Sequence, residues 1–98
     1  MFMNDIQFQW DQNKNLENIK KHRISFEEAK TVFFDENARL ISDPEHSINE
    51  ERFIILGISN KLRILIVIHA YKGNDEIIRI ISARKATKSE SKYYSKVK

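Results

Sequence analysis

The sequence predicts an α+β fold: two N-terminal helices packed on a small antiparallel sheet of three to five strands, and a short C-terminal helix. Two observations predict it. Helix-start signals concentrate in the first third of the chain, and branched aliphatic residues dominate from residue 52 to residue 86. A chain of 98 residues can enclose one modest core, so we expect a single domain over residues 1–98, with any functional site in a surface groove.

The composition is that of an ordinary soluble protein, 41% hydrophobic and 32% charged. No apolar run approaches the roughly 20 residues that a membrane helix needs, and the first residues do not have the pattern of a signal peptide. The absence of cysteine suits a reducing compartment and excludes thiol nucleophiles and cysteine-zinc sites. We therefore expect a cytoplasmic protein that does not contact membranes.

The first elements are a strand and a helix. Residues 6–10 alternate apolar and polar side chains, which predicts a short, half-exposed strand. Asp11 can cap a helix that runs to Lys21, with Leu16 and Ile19 as its thin apolar stripe. The same helix is expected to carry a polar ridge of Lys14, Asn18 and Lys21.

A second helix begins at Ser25, which serves as its cap, and Glu28 completes a predicted capping box. Residues 38–43 read as an edge strand and are followed by an acidic turn. Asp43, Glu45 and His46 in this region superficially resemble metal ligands. We interpret them as solvated loop residues, because no second cluster completes a site, and we predict neither a metal nor a cofactor.

The rest of the sheet follows as three consecutive antiparallel strands. Residues 52–59 and 62–71 form a predicted hairpin, and the turn at residues 72–75 leads into a strand over residues 77–86. His69 belongs to a face of the middle strand that is partly apolar, so it is either a packed residue or a functional one. Strict alternation would place Arg79 and Arg84 on opposite faces unless a bulge intervenes near Ser82.

The C-terminal end is basic. Residues 84–98 contain one acidic residue, Glu90, and six basic residues: Arg84, Lys85, Lys88, Lys92, Lys96 and Lys98. This imbalance favours a polyanionic partner such as nucleic acid, although a solvated lysine-rich tail is the plain alternative. Thr87 and Glu90 predict a capping box for a terminal helix. With one apolar edge of Tyr93, Tyr94 and Val97, that helix is expected to be marginal by itself.

Several ordered motifs carry a family resemblance: Trp10-Asp11, Lys14, Asn18, Lys21-His22, Ser25 to Ala29, Asp43-Pro44, Glu50 to Phe53, and Ile80 to Ala86. From about Phe8 to Tyr94 the chain resembles BrnT, the toxin family of BrnT–BrnA toxin–antitoxin pairs. The resemblance implies a RelE-like fold, a growth-arresting ribonuclease, and a DNA-binding BrnA-like antitoxin that neutralises it. It also implies a heterotetramer of two toxins and two antitoxins that contacts operator DNA only through the antitoxin. Arg23 stands where such sequences commonly have glycine.

Metal-independent RNA cleavage needs a base, an acid, and cations that stabilise the charge developing on the phosphate. Arginine suits the last task, and we predict Arg52, Arg79 and Arg84 as catalytic, leaving Arg63 as a solvated residue. Each arginine can instead pair with Glu50, Glu51 or Glu76. The catalytic set further includes two base candidates, His69 and Glu51, with His22 as another choice. Predicted RNA-binding residues are Lys21, His22 and Lys85.

A second class of function stays open, a non-catalytic nucleic-acid-binding or interaction module. The basic end would serve it. However, the sequence has no helix-turn-helix signature and no aromatic platform of the RNA-recognition type. A purely structural domain would leave the arginines of the sheet unexplained.

Overall fold

The computed structural model describes residues 6–43 and 50–95. It contains three helices: α1 (Gln12–His22), α2 (Phe26–Thr31), which continues into a 3-10 turn over Val32–Phe34, and α3 (Lys88–Ser95). The five strands are β1 (Gln7–Gln9), β2 (Arg39–Ser42), β3 (Phe53–Ile58), β4 (Ile64–Lys72) and β5 (Ile77–Lys85). No helix in the described ranges is long and apolar enough to span a bilayer.

The strands form one sheet in the order β1-β5-β4-β3-β2. The neighbours from β2 to β5 pair antiparallel, and β2 lies at one edge as expected. The expectation of an all-antiparallel sheet is wrong for β1, which pairs parallel with β5. No hairpin joins these two strands, so nothing in the local chain geometry forces them to run in opposite directions.

The two faces of the sheet are covered differently. On the first, here called the helix face, α1 and α2 pack on the sheet. Side chains of α2 and of the residues flanking it enclose the main core together with inward residues of the sheet. The core contains Ile24, Phe26, Ala29, Val32, Ile55, Leu65, Val67, Ile78, Ile80 and Ala83. The second, here called the groove face, has a smaller apolar cluster in which Tyr94 of α3 packs on Leu56 and Ile66. Within the described ranges, much of the groove face is therefore uncovered.

Helix α1 turns a different side to the sheet from the one its hydrophobic pattern predicts. Leu16 is 55% exposed and Ile19 is 37% exposed, whereas Asn15 and Asn18 are both buried. The Asn18 amide donates to the carbonyls of Ile24 and Ala83, at 2.8 and 2.9 Å, and accepts from Ala83 N at 3.1 Å. The predicted stripe and polar ridge are therefore wrong, because backbone groups in the interior need polar partners.

The predicted N-caps of α1 and α2 are present, but the capping box of α2 is not completed. Asp11 accepts from Lys14 N at 3.1 Å, and Ser25 Oγ accepts from Glu28 N at 3.0 Å. The Glu28 carboxylate, almost fully buried, accepts from Ser59 Oγ at 2.7 Å and from Arg63 Nε at 2.9 Å. Arg63 is thus an ion-pair residue that ties the β3–β4 connection to α2, and its interpretation as a solvated side chain is wrong.

Arg23 ends α1 in the left-handed conformation, with φ of 61°, and its N–H donates to Ile19 O at 2.8 Å. This is the backbone geometry that glycine adopts without strain, which agrees with the usual glycine at this position of the resembling family. Arg23 therefore forms the same turn, at the steric cost that a Cβ imposes at positive φ.

Candidate active site

A β-bulge decides which way the arginines of β5 point. Ile68 pairs with Ser82 and His69 pairs with Ile80, so Ile81 has no partner on β4. Buried positions accordingly shift from Ile78 and Ile80 to Ala83. The extra residue reverses the alternation once, and Arg79 and Arg84 share the groove face. The bulge considered from the sequence is confirmed, one residue before Ser82.

An open groove of about 460 Å³ lies on this face. Its floor is aliphatic, formed by Ile54, Ile66 and Ile68 from the two central strands. Polar side chains stand around the floor: Asp43, Arg52, Ser82, Arg84 and Glu90. The groove therefore combines an apolar base with fixed charges of both signs at its margins.

Each of the three predicted arginines lies near a carboxylate. Arg84 binds Glu90 through two hydrogen bonds of 2.9 Å, Arg79 binds Glu50, and Arg52 Nε lies 3.9 Å from Glu50 Oε1. The bond from Arg79 lowers the pKa of Glu50, and the bond from Arg84 lowers the pKa of Glu90 to about 2. Both carboxylates are thus anionic at neutral pH, and the groove margin alternates cation and anion.

Helix α3 closes one end of the groove. Its predicted capping box is complete: Thr87 N donates to Glu90 Oε1 at 2.8 Å, and Glu90 N donates to Thr87 Oγ1 at 3.2 Å. Near the C-terminal end of α3, Tyr94 Oη donates to Asp35 Oδ2 at 2.7 Å, and the Arg39 guanidinium lies 4.0 Å from the Tyr93 ring centroid. Val97, expected on the same apolar edge, lies outside the described residues.

His69 is not part of this groove. It is fully buried under the helix face, with its ring 4.7 Å from that of Phe33 and its Nε2 3.3 Å from the hydroxyl of Tyr71. Burial lowers the pKa of His69 to about 4. The imidazole is therefore neutral at physiological pH and separated by the sheet from the arginines.

The other predicted site residues are spread over the molecule. Glu51 is exposed just before β3, beside Glu50. Lys85 is exposed at the end of β5, next to Arg84. Lys21 and His22 lie at the end of α1, which packs on the helix face. The structure brings Arg52, Arg79 and Arg84 to one face of the sheet. Glu51 and Lys85 are chain neighbours of Arg52 and Arg84 but do not line the groove, and Lys21, His22 and His69 lie away from it.

Sequence reasoning gave Glu90 only its role as a helix cap. Its bidentate bond to Arg84 depends on the direction in which β5 leaves the bulge, for which the sequence has no local signal. The pairing of Arg79 with Glu50, one of the alternatives that the sequence leaves open, is confirmed. Glu45 and His46 lie outside the described residues, and the described ranges contain no cluster of three potential metal ligands.

Comparison with known proteins bears on this arrangement directly. Residues 10–90 match the family model described as the ribonuclease toxin BrnT of a type II toxin–antitoxin system. The chain belongs to the BrnT family. The match covers α1, the sheet strands from β2 to β5 and the start of α3, and it includes Arg52, Arg79 and Arg84. The resemblance seen in the sequence is thereby confirmed.

A solved structure agrees with the BrnT assignment. The crystal structure of the Brucella abortus ribonuclease toxin BrnT, at 1.1 Å resolution, superposes with a TM-score of 0.66 at 26% sequence identity. The superposition covers 85% of this chain and 99% of the Brucella chain. Among curated proteins no relative matches. The α+β fold with a five-stranded mixed sheet and a short closing helix is therefore similar to that of a BrnT toxin.

Proposed function

We propose that this BrnT-family protein cleaves RNA in its arginine-lined groove and needs no metal ion to do so. The observation that carries the proposal is the bulge at Ile81, because it turns Arg79 and Arg84 to one open face beside Arg52. Guanidinium groups stay charged at physiological pH and bind phosphate oxygens in pairs. Three of them can supply the positive charge that the cleavage transition state requires.

In the proposed reaction the scissile phosphate takes the place of Glu90 on Arg84 and binds Arg79 beside Glu50. Buried Nε of Arg79 has no acceptor within the described residues, so this arginine retains donor capacity beyond its bond to Glu50. We assign the base to Glu51, which is exposed beside Glu50, next to the groove and not in its lining, and which removes the proton of the 2′-hydroxyl. That oxygen attacks phosphorus, and the 5′-oxygen leaves with a proton taken from water.

The remaining predicted residues take supporting roles in this proposal. Lys85 contacts the RNA backbone next to Arg84. Lys21 and His22 contact the RNA only if the RNA chain continues around the protein to the helix face. The burial and neutral ring of His69 favour a packing role over a catalytic one.

We further propose that the protein is cytoplasmic, that it arrests growth, and that a DNA-binding BrnA-like antitoxin neutralises it. Two toxins and two antitoxins would assemble, since the DNA-binding part of such antitoxins dimerises, and operator DNA would be contacted only through the antitoxin. These proposals rest on membership of a family of type II toxin–antitoxin toxins.

The test is cleavage of a labelled RNA by purified protein in the presence of a chelator. Cleavage should persist, and Arg79→Ala and Arg84→Ala should each lower the rate roughly a hundredfold, about 3 kcal/mol of transition-state stabilisation. Lys20→Ala, which removes an exposed cation from α1, is the matched control and should cleave normally. Thermal melts of all variants separate loss of activity from loss of folding.

Two outcomes would count against the proposal. Cleavage that returns only with added divalent ions would mean that a metal supplies the charge. RNA binding without cleavage would favour the non-catalytic module instead.

A further inference from the structure

A second cavity, of about 360 Å³, meets the arginine cluster at Glu50. Its lining combines Leu40, Phe53 and Tyr71 with three carboxylates, Glu50, Glu51 and Asp75. Glu50 belongs to both places, because it lines this cavity while its carboxylate is bonded to Arg79 on the groove face. The volume lies in the range of pockets that enclose small organic molecules, about 300–1,000 Å³.

We propose that this cavity binds a guanine base and makes the protein select guanine at the cleavage site. The inference rests on the proposed function and adds the base preference of the same site. Phe53 and Tyr71 project from the helix face and Arg79 from the groove face, and Glu50, just before β3, connects the two. A nucleotide whose phosphate binds Arg79 therefore places its base in the cavity by passing around Glu50.

The cavity wall offers a surface for a flat ring. Phe53 and Tyr71 are half-buried, and their ring centroids lie 5.3 Å apart at an interplanar angle of 64°. His69 Nε2, 3.3 Å from the Tyr71 hydroxyl, holds this ring from the core side. Proteins recognise unpaired RNA bases by packing them on aromatic side chains and bonding to their edges, which is the arrangement available here.

The polar lining determines which base fits. Ionised carboxylates only accept hydrogen bonds, so they favour a base edge that presents donors. Guanine alone presents two adjacent donors, N1–H and the N2 amino group, on its Watson–Crick edge. Adenine and cytosine place a ring acceptor beside one amino group, and uracil places carbonyls on both sides of its single N–H. Facing a carboxylate, these three bases therefore lose a bond or meet repulsion.

Asp75 is the carboxylate best placed for this task. Glu50 is bonded to Arg79, and Glu51 is assigned to the proton transfer. The β4–β5 turn holds Gly73, Asn74 and Asp75 all at positive φ, 58°, 60° and 67°, and this conformation brings Asp75 to the cavity. Burial and the nearby charge of Asp75 raise the pKa of Tyr71, which agrees with a carboxylate lying close to the aromatic wall.

The experiment measures binding and needs no cleavage. Guanosine 3′-monophosphate is titrated into the full chain by calorimetry, in parallel with the 3′-monophosphates of adenosine, cytidine and uridine. We expect the guanosine nucleotide to bind about tenfold or more tightly than each of the others, the discrimination typical of one bidentate contact. Equal binding of all four nucleotides, or binding of none, would overturn the inference.

Variants then locate the selectivity. Asp75→Asn should reduce the guanine preference to near unity, and asparagine tolerates the positive φ at this position. Glu76→Gln removes an exposed carboxylate from the same turn that does not line the cavity, and it should keep the preference. Guanine-selective binding without RNA cleavage would refute the proposed function alone, and cleavage without base preference would refute this inference alone.

Discussion

Asn18 and Ala83 are joined by a reciprocal pair of hydrogen bonds, 2.9 Å to the Ala83 carbonyl and 3.1 Å from its N–H. Because β1 pairs with β5 only from Ile77 to Arg79, no strand among the described residues pairs with the outer edge of β5 at this point. The side-chain amide satisfies the backbone there as a neighbouring strand would. It fixes α1 and the strand one residue before Arg84.

Asn18→Ala is expected to lower the free energy of unfolding by about 3 kcal/mol, because it leaves buried backbone groups without partners. Urea denaturation followed by circular dichroism measures the change. Asn13→Ala, an exposed asparagine of the same helix, is the control and should shift stability by less than about 0.5 kcal/mol. Similar losses in both variants would mean that the Asn18 bonds contribute little.

Arg23→Gly is expected to stabilise the protein by about 1 kcal/mol, because glycine adopts the left-handed conformation without the steric cost of a Cβ. For a domain of this size the melting temperature should rise by roughly 4–8 °C. Arg23→Ala is the control: it also removes the guanidinium but keeps the Cβ, so it should give no gain. A rise in both variants would assign the effect to the lost charge.

His69 should make stability depend on pH. Its pKa is lowered to about 4 in the folded protein from an ordinary value of 6.5, so the unfolded chain binds more protons between these values. The stability that the neutral, buried His69 contributes is present above pH 6.5 and is lost as the pH falls toward 4. Between pH 7 and pH 5.5 the free energy of unfolding should drop by about 1 kcal/mol from this residue.

Chemical denaturation of His69→Gln at the two pH values measures this contribution. The variant is less stable at pH 7, but its stability should change less with pH than that of the unmodified protein. His22→Gln serves as the control and should retain the full dependence. An unaltered pH dependence in His69→Gln would show that other groups cause it.

Tyr94→Phe should loosen α3, because the helix is held at its C-terminal end by the bond from Tyr94 to Asp35. Loss of this bond to a carboxylate is expected to cost about 1–2 kcal/mol and to speed amide hydrogen exchange throughout the helix. Tyr93→Phe keeps the ring that stacks on Arg39 and should exchange normally. If α3 exchanges equally fast in all three proteins, its docking does not depend on Asp35.

The features that the sequence predicted well are those with local causes. The caps at Asp11 and Ser25 and the box of Thr87 with Glu90 each need only three or four neighbouring residues. The edge strand before Asp43 is bounded by equally local turn residues.

The features that the sequence did not predict depend on partners distant in the chain. Asn18 is buried in place of Leu16 because its amide bonds the backbone of Ala83 in β5, 65 residues away. Register between β4 and β5 places the bulge at Ile81, and one such residue decides on which face Arg84 lies. For His69, strand alternation predicts which face of the sheet the side chain lies on. That the helices bury this face, and so keep His69 from the groove, is visible only in the folded structure.

The Glu90 carboxylate binds Arg84 and Thr87 N at the same time. Anion binding at Arg84 and docking of α3 are therefore energetically coupled through this one side chain. An anion that takes Arg84 from Glu90 must weaken the first turn of α3. By reciprocity, a molecule that binds α3 and keeps it docked must lower the affinity of Arg84 for that anion by the same factor. A partner that binds the outer surface of α3 could therefore weaken anion binding in this groove without entering it.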